Sequence, residues 1–477
     1  MHATPQQIAA YSGAQTVVPP CDPSAPVVGL AWDSRKVRPG WLFIALPGEH
    51  ADGNDFLDAA LMSGAAAAIA SRPVTEALKG LARERGAALM EVATGQGVRA
   101  LQELASGYRN TLGATVIGIT GSSGKTTTKD LVEAVLASGL ATYATPGNYN
   151  NEIGAPATVL EASETTRALV VEMGMQARGE IARLCEIARP SVGIITNVGV
   201  AHCELLGSRE NIARAKAELV CSLPEHTGIA ILNGDDPYTP FVREEAAVEE
   251  REVKVLLYGL GAHNDIRGAH IEYDADGRPS FDLWLPDGQP RRVRLSLQGE
   301  HNVYNALAAA ACGHVCGIAP QSTVKALASV RPAAMRQETR DVGSGVTVIN
   351  DTYNANPDSM RAALALLGRF ECGRMHVAVL GDMFELGEEE ERFHREVGSF
   401  AHVTHVDLLV TVGALAAQIA AGARAVGMPV ERVIECASCE EALAALSPCL
   451  SRQPVILVKA SRGMQLEAVA EGIAALC

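Results

Sequence analysis

Two spacings of apolar residues alternate along most of the chain. Short runs that are apolar almost throughout, such as those at 114–120, 168–171, 192–195 and 229–232, are bounded by glycine, proline or polar turns. Runs of that kind form strands buried on both faces, as in a parallel sheet covered by helices. Between them, apolar residues recur every three or four positions, as at Leu131, Val132, Val135 and Leu136. That spacing puts them on one face of a helix. Strand–helix alternation of this sort predicts an α/β fold with a mostly parallel sheet. It returns from about residue 316, with strand-like runs at 346–349, 377–380, 408–412 and 455–458, and predicts a second, open-sheet unit of Rossmann-like character. The first residues, up to about 112, form a block of their own. A strand is expected at 41–46, an alanine-rich helix at 57–70 and a long helix at 97–111. Residues 251–298 are richer in Arg, Asp and β-formers, and read as antiparallel strands and loops. At 477 residues the chain suits about three domains of ordinary size. The pattern divides it at 1–112, 113–315 and 316–477.

The sequence GITGSSGKTTTK, from Gly118 to Lys129, lies between a predicted strand and a predicted helix, where a phosphate-binding loop belongs. It departs from the common G-x-x-x-x-G-K-S/T spacing, because Ile119 stands where the first glycine should be. Gly121, Ser122, Ser123 and Gly124 still form a flexible turn whose N–H groups can meet oxyanions at a helix start. Lys125 would neutralise terminal phosphates and Thr126 would set its hydroxyl on Mg²⁺, with Thr127 beside them. The residues alone also admit a P-loop phosphotransferase, an NTPase switch or a non-catalytic nucleotide-binding protein.

Glu172 closes the run at 168–171 and His202 closes the one at 194–201. Ligands of open parallel sheets collect at the carboxyl ends of strands. A carboxylate and an imidazole there can hold a divalent cation between nucleotide and substrate. Asn148, Asn150 and Asn151 crowd a glycine-flanked turn rich in hydrogen-bond donors, suited to a polar substrate. Asn302 and Asn305 share a helix face. An amide there matches the edge of adenine, while Asn302 equally fits a helix cap. Asp351 suits a ribose hydroxyl and Tyr353 stacking. Lys459, Ser461 and Arg462 follow the last strand and supply cations for a substrate carboxylate or phosphoryl charge. Lys216, judged by spacing, is an ordinary solvated helix lysine.

The net charge of −15 does not favour broad binding to nucleic acid or anionic membranes, so basic groups and helix starts must attract a phosphorylated substrate locally. No run approaches the roughly 18 apolar residues of a membrane span, and the N-terminus lacks the basic-then-apolar design of a secretory signal. A cytoplasmic monomer acting on small molecules is expected, without nucleic-acid partner or membrane insertion. Eleven scattered cysteines fit free thiols in a reducing compartment, and the single pair Cys436 and Cys439 lacks a second pair to complete a zinc site.

Taken in order along nearly the whole chain, segments 120–127, 148–154, 197–202 and 301–305 resemble the Mur ligases, which build the peptide stem of peptidoglycan. Segments 33–35, 172–175, 351–357 and 381–387 are similar to the branch that joins D-alanyl-D-alanine to UDP-N-acetylmuramoyl-tripeptide. The branch adding the third stem residue is the second candidate, but its Asp-x-Ala-His-x-Pro and Asp-Asn-Pro-Arg motifs are absent. One departure is Asn54, where the family pattern expects histidine. The resemblance implies a small N-terminal α/β domain for the UDP end of the substrate, a central ATPase domain and a C-terminal domain that brings the amine. It implies ATP and two Mg²⁺ ions, with Lys125, His202 and a carbamylated Lys216 in catalysis. Thr126, Glu172, His202 and Lys216 would hold metal. Asn302, Asn305, Arg336 and Asp351 would join residues 121–127 around the nucleotide. Ser34 and Arg35 would lie in the UDP-sugar site, with Asn148, Asn150, Asn151, Tyr353, Lys459, Ser461 and Arg462 toward the substrates.

Overall fold

The computed structural model describes residues 1–48, 51–200, 203–370 and 373–477. Its strands fall into three sheets of five, nine and six strands, each flanked by helices. In the first sheet, Leu30–Ala31, Leu42–Ile44, Ala67–Ala70 and Ala88–Glu91 run parallel, and Gln15–Val18 closes the edge antiparallel.

The alanine-rich stretch 57–70 is not one helix. A helix spans Leu57–Met62 only, and Ala67–Ala70 is a strand with all four residues buried. Ser63 and Gly64 end the helix, Gly64 with φ +94°. The pairing of Ala67–Ala70 with strands on both sides then outweighs the helix preference of alanine.

The central sheet begins at its edge with Thr142–Ala144 and continues through Ala168–Glu172, Thr115–Thr120, Val192–Ile195, Ile229–Asn233 and Lys254–Gly259, all parallel. The antiparallel expectation for 251–298 therefore holds only in part. Lys254–Gly259 extends the parallel sheet, because helix Thr239–Glu245 gives the chain length enough to cross over. Antiparallel pairing starts where Ile266–Tyr273 meets Pro279–Trp284, followed by Pro290–Arg294. Helix Lys125–Ala137 lies against helix His301–Val315, whose alanines are fully buried. Small side chains let the two approach closely: a Cβ on Gly313 would sit 2.5 Å from Val135 Cγ1.

The third sheet orders Glu338–Asp341, Thr347–Asn350, Val455–Lys459, His376–Gly381, Leu408–Val412 and Val433–Cys436, parallel except at the first pair. Among the described residues no helix is long and apolar enough to cross a membrane.

Candidate active site

A cleft of about 910 Å³ brings together the phosphate-type loop, the turn 148–152, Glu172, the start of helix His301–Val315 and the strand ends of the third sheet. Its floor is the loop after Thr115–Thr120. Gly124 is the N-cap of helix Lys125–Ala137, with φ +79°, and a Cβ there would lie 2.6 Å from Asn305 Oδ1. A Cβ on Gly121 would lie 1.8 Å from Thr196 Oγ1. Both glycines are therefore required by neighbours as well as by backbone angle. The neighbours also hold the loop's shape. Asn197 Oδ1 accepts from Ser123 N at 3.0 Å, Thr196 Oγ1 donates to Ser123 O at 2.6 Å, and Gly199 N donates to Ser122 Oγ at 2.8 Å. Lys125 Nζ folds back to Gly121 O at 2.6 Å. Burial lowers its pKa from the ordinary lysine value, against an opposing pull from Glu172.

Glu172 ends its strand inside the cleft and is almost fully buried. Its Oε1 accepts from Asn150 Nδ2 at 2.7 Å and from Thr126 Oγ1 at 3.1 Å. Its Oε2 is buried and has no hydrogen-bond partner among the described residues. A buried carboxylate oxygen without a donor is costly. A hard divalent cation bound by carboxylate and hydroxyl oxygens fits that vacancy in donor chemistry. No three His, Cys, Asp or Glu side chains gather to hold a metal among the described residues. His202 lies outside the described residues.

Lys216 sits on helix Arg209–Cys221 with 1% exposure, so the solvated reading fails. Helix face, not spacing, decides this: Ile212, Ala213, Ala215, Leu219 and Val220 are buried around it. Burial first, then the positive charge of Lys125, pushes its pKa well below the ordinary lysine value. Its amine is thereby biased toward the neutral, nucleophilic form.

On the opposite wall a line of side chains joins the central and third sheets. Thr128 Oγ1 donates to Asn305 Oδ1 at 3.2 Å, and Asn305 Nδ2 donates to Asn302 Oδ1 at 2.9 Å. Asn302 is not the cap, since Glu300 holds that position, and its Nδ2 donates to Gln298 O at 2.7 Å. The neighbouring His301 pairs through Nε2 with Gln337 Oε1 at 2.9 Å, and Gln337 N donates to Asp351 Oδ1 at 3.2 Å. Arg336 stacks 3.9 Å above the Tyr353 ring and lines the cleft with it. The residues flanking Arg336, Met335 and Gln337, both have positive φ, a local strain that aims the intervening side chain.

The strand-end cations differ from expectation. Lys459 lines the cleft, but its amino group is engaged by Asp351 Oδ2 and Asn354 O, each at 2.8 Å. Arg462 is outside the cleft lining and pairs with Glu467 at 2.7 Å. Ser461 is buried, accepting from Phe384 N at 2.9 Å, and acts as a fastener between two strand ends. Of the turn residues, Asn148 and Asn150 line the cleft, as does Asn151, whose side chain also accepts from Gly154 N at 2.9 Å. Ser34 and Arg35 belong to a short turn on the first sheet, where Arg35 is exposed and pairs with Asp33 at 2.9 Å. Next to that turn Trp32 meets Tyr149 of the central turn, ring centroids 5.9 Å apart. Thr196, Gln337 and Lys129 were not singled out from the sequence, because nothing in their local spacing marks the tertiary partners they hold. Cys436 and Cys439 are free thiols whose pKa values burial raises, so no reactive pair forms.

A glycine loop at a helix start, a strand-end carboxylate with one open oxygen and a buried lysine whose pKa burial lowers, arranged between three α/β units, fit a class of nucleotide-dependent ligase. The chain belongs to the Mur ligase family: residues 26–109 match its "Mur ligase family, catalytic domain", 119–313 its "Mur ligase middle domain" and 335–462 its "Mur ligase, glutamate ligase domain". It is 39% identical, over 93% of both chains, to the UDP-N-acetylmuramoyl-tripeptide--D-alanyl-D-alanine ligase of Bacillus subtilis. It superposes on a crystal structure of MurF from Acinetobacter baumannii with a TM-score of 0.87, at 30% identity over 100% of this chain and 99% of that one. MurF from Thermotoga maritima, solved in complex with ADP, gives a TM-score of 0.80 at 30% identity over 94% of this chain and 98% of that one.

Proposed function

We propose that this chain joins D-alanyl-D-alanine to UDP-N-acetylmuramoyl-tripeptide at the cost of ATP, giving the pentapeptide precursor of peptidoglycan with ADP and phosphate. The observation that carries the reading is Glu172, held by Thr126 of the phosphate loop and left with one open oxygen inside the cleft. That residue couples nucleotide to substrate, which a plain phosphate-binding loop does not do. The relatives carry the same activity in their names.

The tripeptide carboxylate attacks the γ-phosphorus of ATP, forming an acyl phosphate and releasing ADP. The amine of D-alanyl-D-alanine then attacks that carbonyl, and the tetrahedral intermediate expels phosphate. The obstacle to the first step is repulsion between a carboxylate and a polyphosphate. Lys125 and the N–H groups of residues 121–127 offset it by placing positive charge where negative charge develops. When bound, Mg²⁺ would add Lewis-acid charge stabilisation, held by Glu172 Oε2, the Thr126 hydroxyl, His202 and a carbamate on Lys216. The open Oε2 and the lowered pKa of the buried Lys216 amine support that reading, since carbon dioxide adds to an unprotonated amine and burial favours that form. Asn302, Asn305, Arg336 and Asp351 face the nucleoside. Asn148, Asn150 and Asn151 guide the tripeptide, and Ser34 and Arg35 meet the UDP end. Tyr353 and Lys459 border the amine. Residues 1–112, 113–315 and 316–477 act as the UDP-substrate, ATPase and amine-substrate domains, in a cytoplasmic monomer.

Incubation with UDP-N-acetylmuramoyl-tripeptide, ATP, Mg²⁺ and a panel of amines, with mass detection, tests this. The expected outcome is a tripeptide extended by D-alanyl-D-alanine and ADP release that depends on the amine. ADP release independent of any amine overturns it in favour of an NTPase.

A further inference from the structure

Lys129 is the last residue of the loop motif and has no part in the mechanism above. It lies one turn into helix Lys125–Ala137 and is only 3% exposed. A buried ammonium is expensive unless all three of its N–H groups are used. Here they are: Nζ donates to Thr145 O at 2.9 Å and Gly147 O at 3.3 Å, and pairs with Asp130 Oδ1 at 2.9 Å.

The two carbonyls belong to the entry of the turn that carries Asn150. That turn is fastened to the strand ending at Glu172 by further bonds. Glu172 N donates to Thr145 Oγ1 at 3.0 Å, and Gly174 N donates to Asn150 O at 2.8 Å. Asn150 Nδ2 then reaches Glu172 Oε1 at 2.7 Å. With Thr126 on the same oxygen, both donors fall on Oε1 and leave Oε2 open. Which oxygen is open, and where it points, depends on where the turn sits.

We infer that Lys129 is a positioning residue: by gripping Thr145 O and Gly147 O it sets Asn150, and through Asn150 it orients the Glu172 carboxylate toward a divalent cation. This rests on the proposed role of Glu172 as a cation ligand. Partners that orient a metal ligand typically change metal affinity about 10–100-fold when removed.

The test is Mn²⁺ binding, followed by electron paramagnetic resonance in the presence of ADP, for wild type, K129M, N150A, the double variant and E172Q. K129M keeps the length of the side chain and removes its donors. The inference expects K129M and N150A each to weaken Mn²⁺ binding about tenfold. It expects the double variant to be no weaker than the poorer single one, because both act along one path. ADP binding measured with EDTA stays at the wild-type value in all three. Wild-type Mn²⁺ affinity in K129M, while E172Q loses it, overturns the positioning role alone. So does a double variant whose losses multiply. Wild-type affinity in E172Q overturns the underlying ligand reading instead. If K129M does not fold, K129Q replaces it with the same criteria.

Discussion

Lys216 in the central unit and Lys459 in the third are both buried helix- or strand-borne lysines, at 1% and 2% exposure, and they are opposites chemically. Lys459 is tied to Asp351 and to a backbone carbonyl. Lys216 makes no side-chain hydrogen bond or ion pair with any described residue, and Lys125 repels its charge. Equal burial therefore says nothing about role. The partner does: a paired lysine fastens two segments, and one without a partner among the described residues has its proton disfavoured by burial.

Four experiments would break or sharpen that contrast. Lys216→Ala should cut ligation by about 10²–10³-fold, the usual scale for one group that stabilises developing charge. Short carboxylic acids should partly restore it by supplying the missing anion. Full activity without any acid removes the carbamate. Lys459→Met should instead act on the fold. It strands Asp351 in the interior and should cost about 3–5 kcal/mol in urea unfolding, with no response to added acids. Adding Asp351→Asn should recover part of that loss, and a purely additive double variant would sink the pairing.

The third test uses pH. The folded state disfavours the Lys216 proton, so the unfolded chain binds it first. Between the lowered folded value and the ordinary lysine value of about 10.4, unfolding takes up a proton and stability rises with pH. Lys216→Met should reduce that rise, by at most about 1.4 kcal/mol per pH unit. Unfolding in carbon-dioxide-free buffer across that range checks it, and identical slopes would mean the amine is not neutralised by the fold. The smallest effect belongs to Arg462→Ala. Its guanidinium is 52% exposed and pairs only on the rim, so stability should change by less than about 1 kcal/mol.

The contrast also marks what could be read from the sequence. Strand positions around 115–120, 168–172 and 192–195 were legible because burial on both faces writes an uninterrupted apolar run. The phosphate loop was legible because few residue types can turn there, and Glu172 because an acidic residue directly after such a run is conspicuous. Alanine at 67–70 misled, since its helix preference is weak beside two neighbouring strands. The partners of Lys129, Lys216 and Lys459 could not be read from their local spacing, because an amino group's surroundings are set by segments distant in the chain: Thr145, the face of one helix, and Asp351. Gln337 and Thr196 stayed silent for the same reason.

The two glycines of the loop carry a lesson about transfer between proteins. Thr196 and Asn305 fill the space where their side chains would be, so the loop is cast in a mould formed by a neighbouring strand end and a distant helix. Twelve residues moved to another strand–helix turn would bring the lysine and the hydroxyl without the mould. A graft of this site must carry Thr196, Asn197 and the first turn of helix His301–Val315 with it.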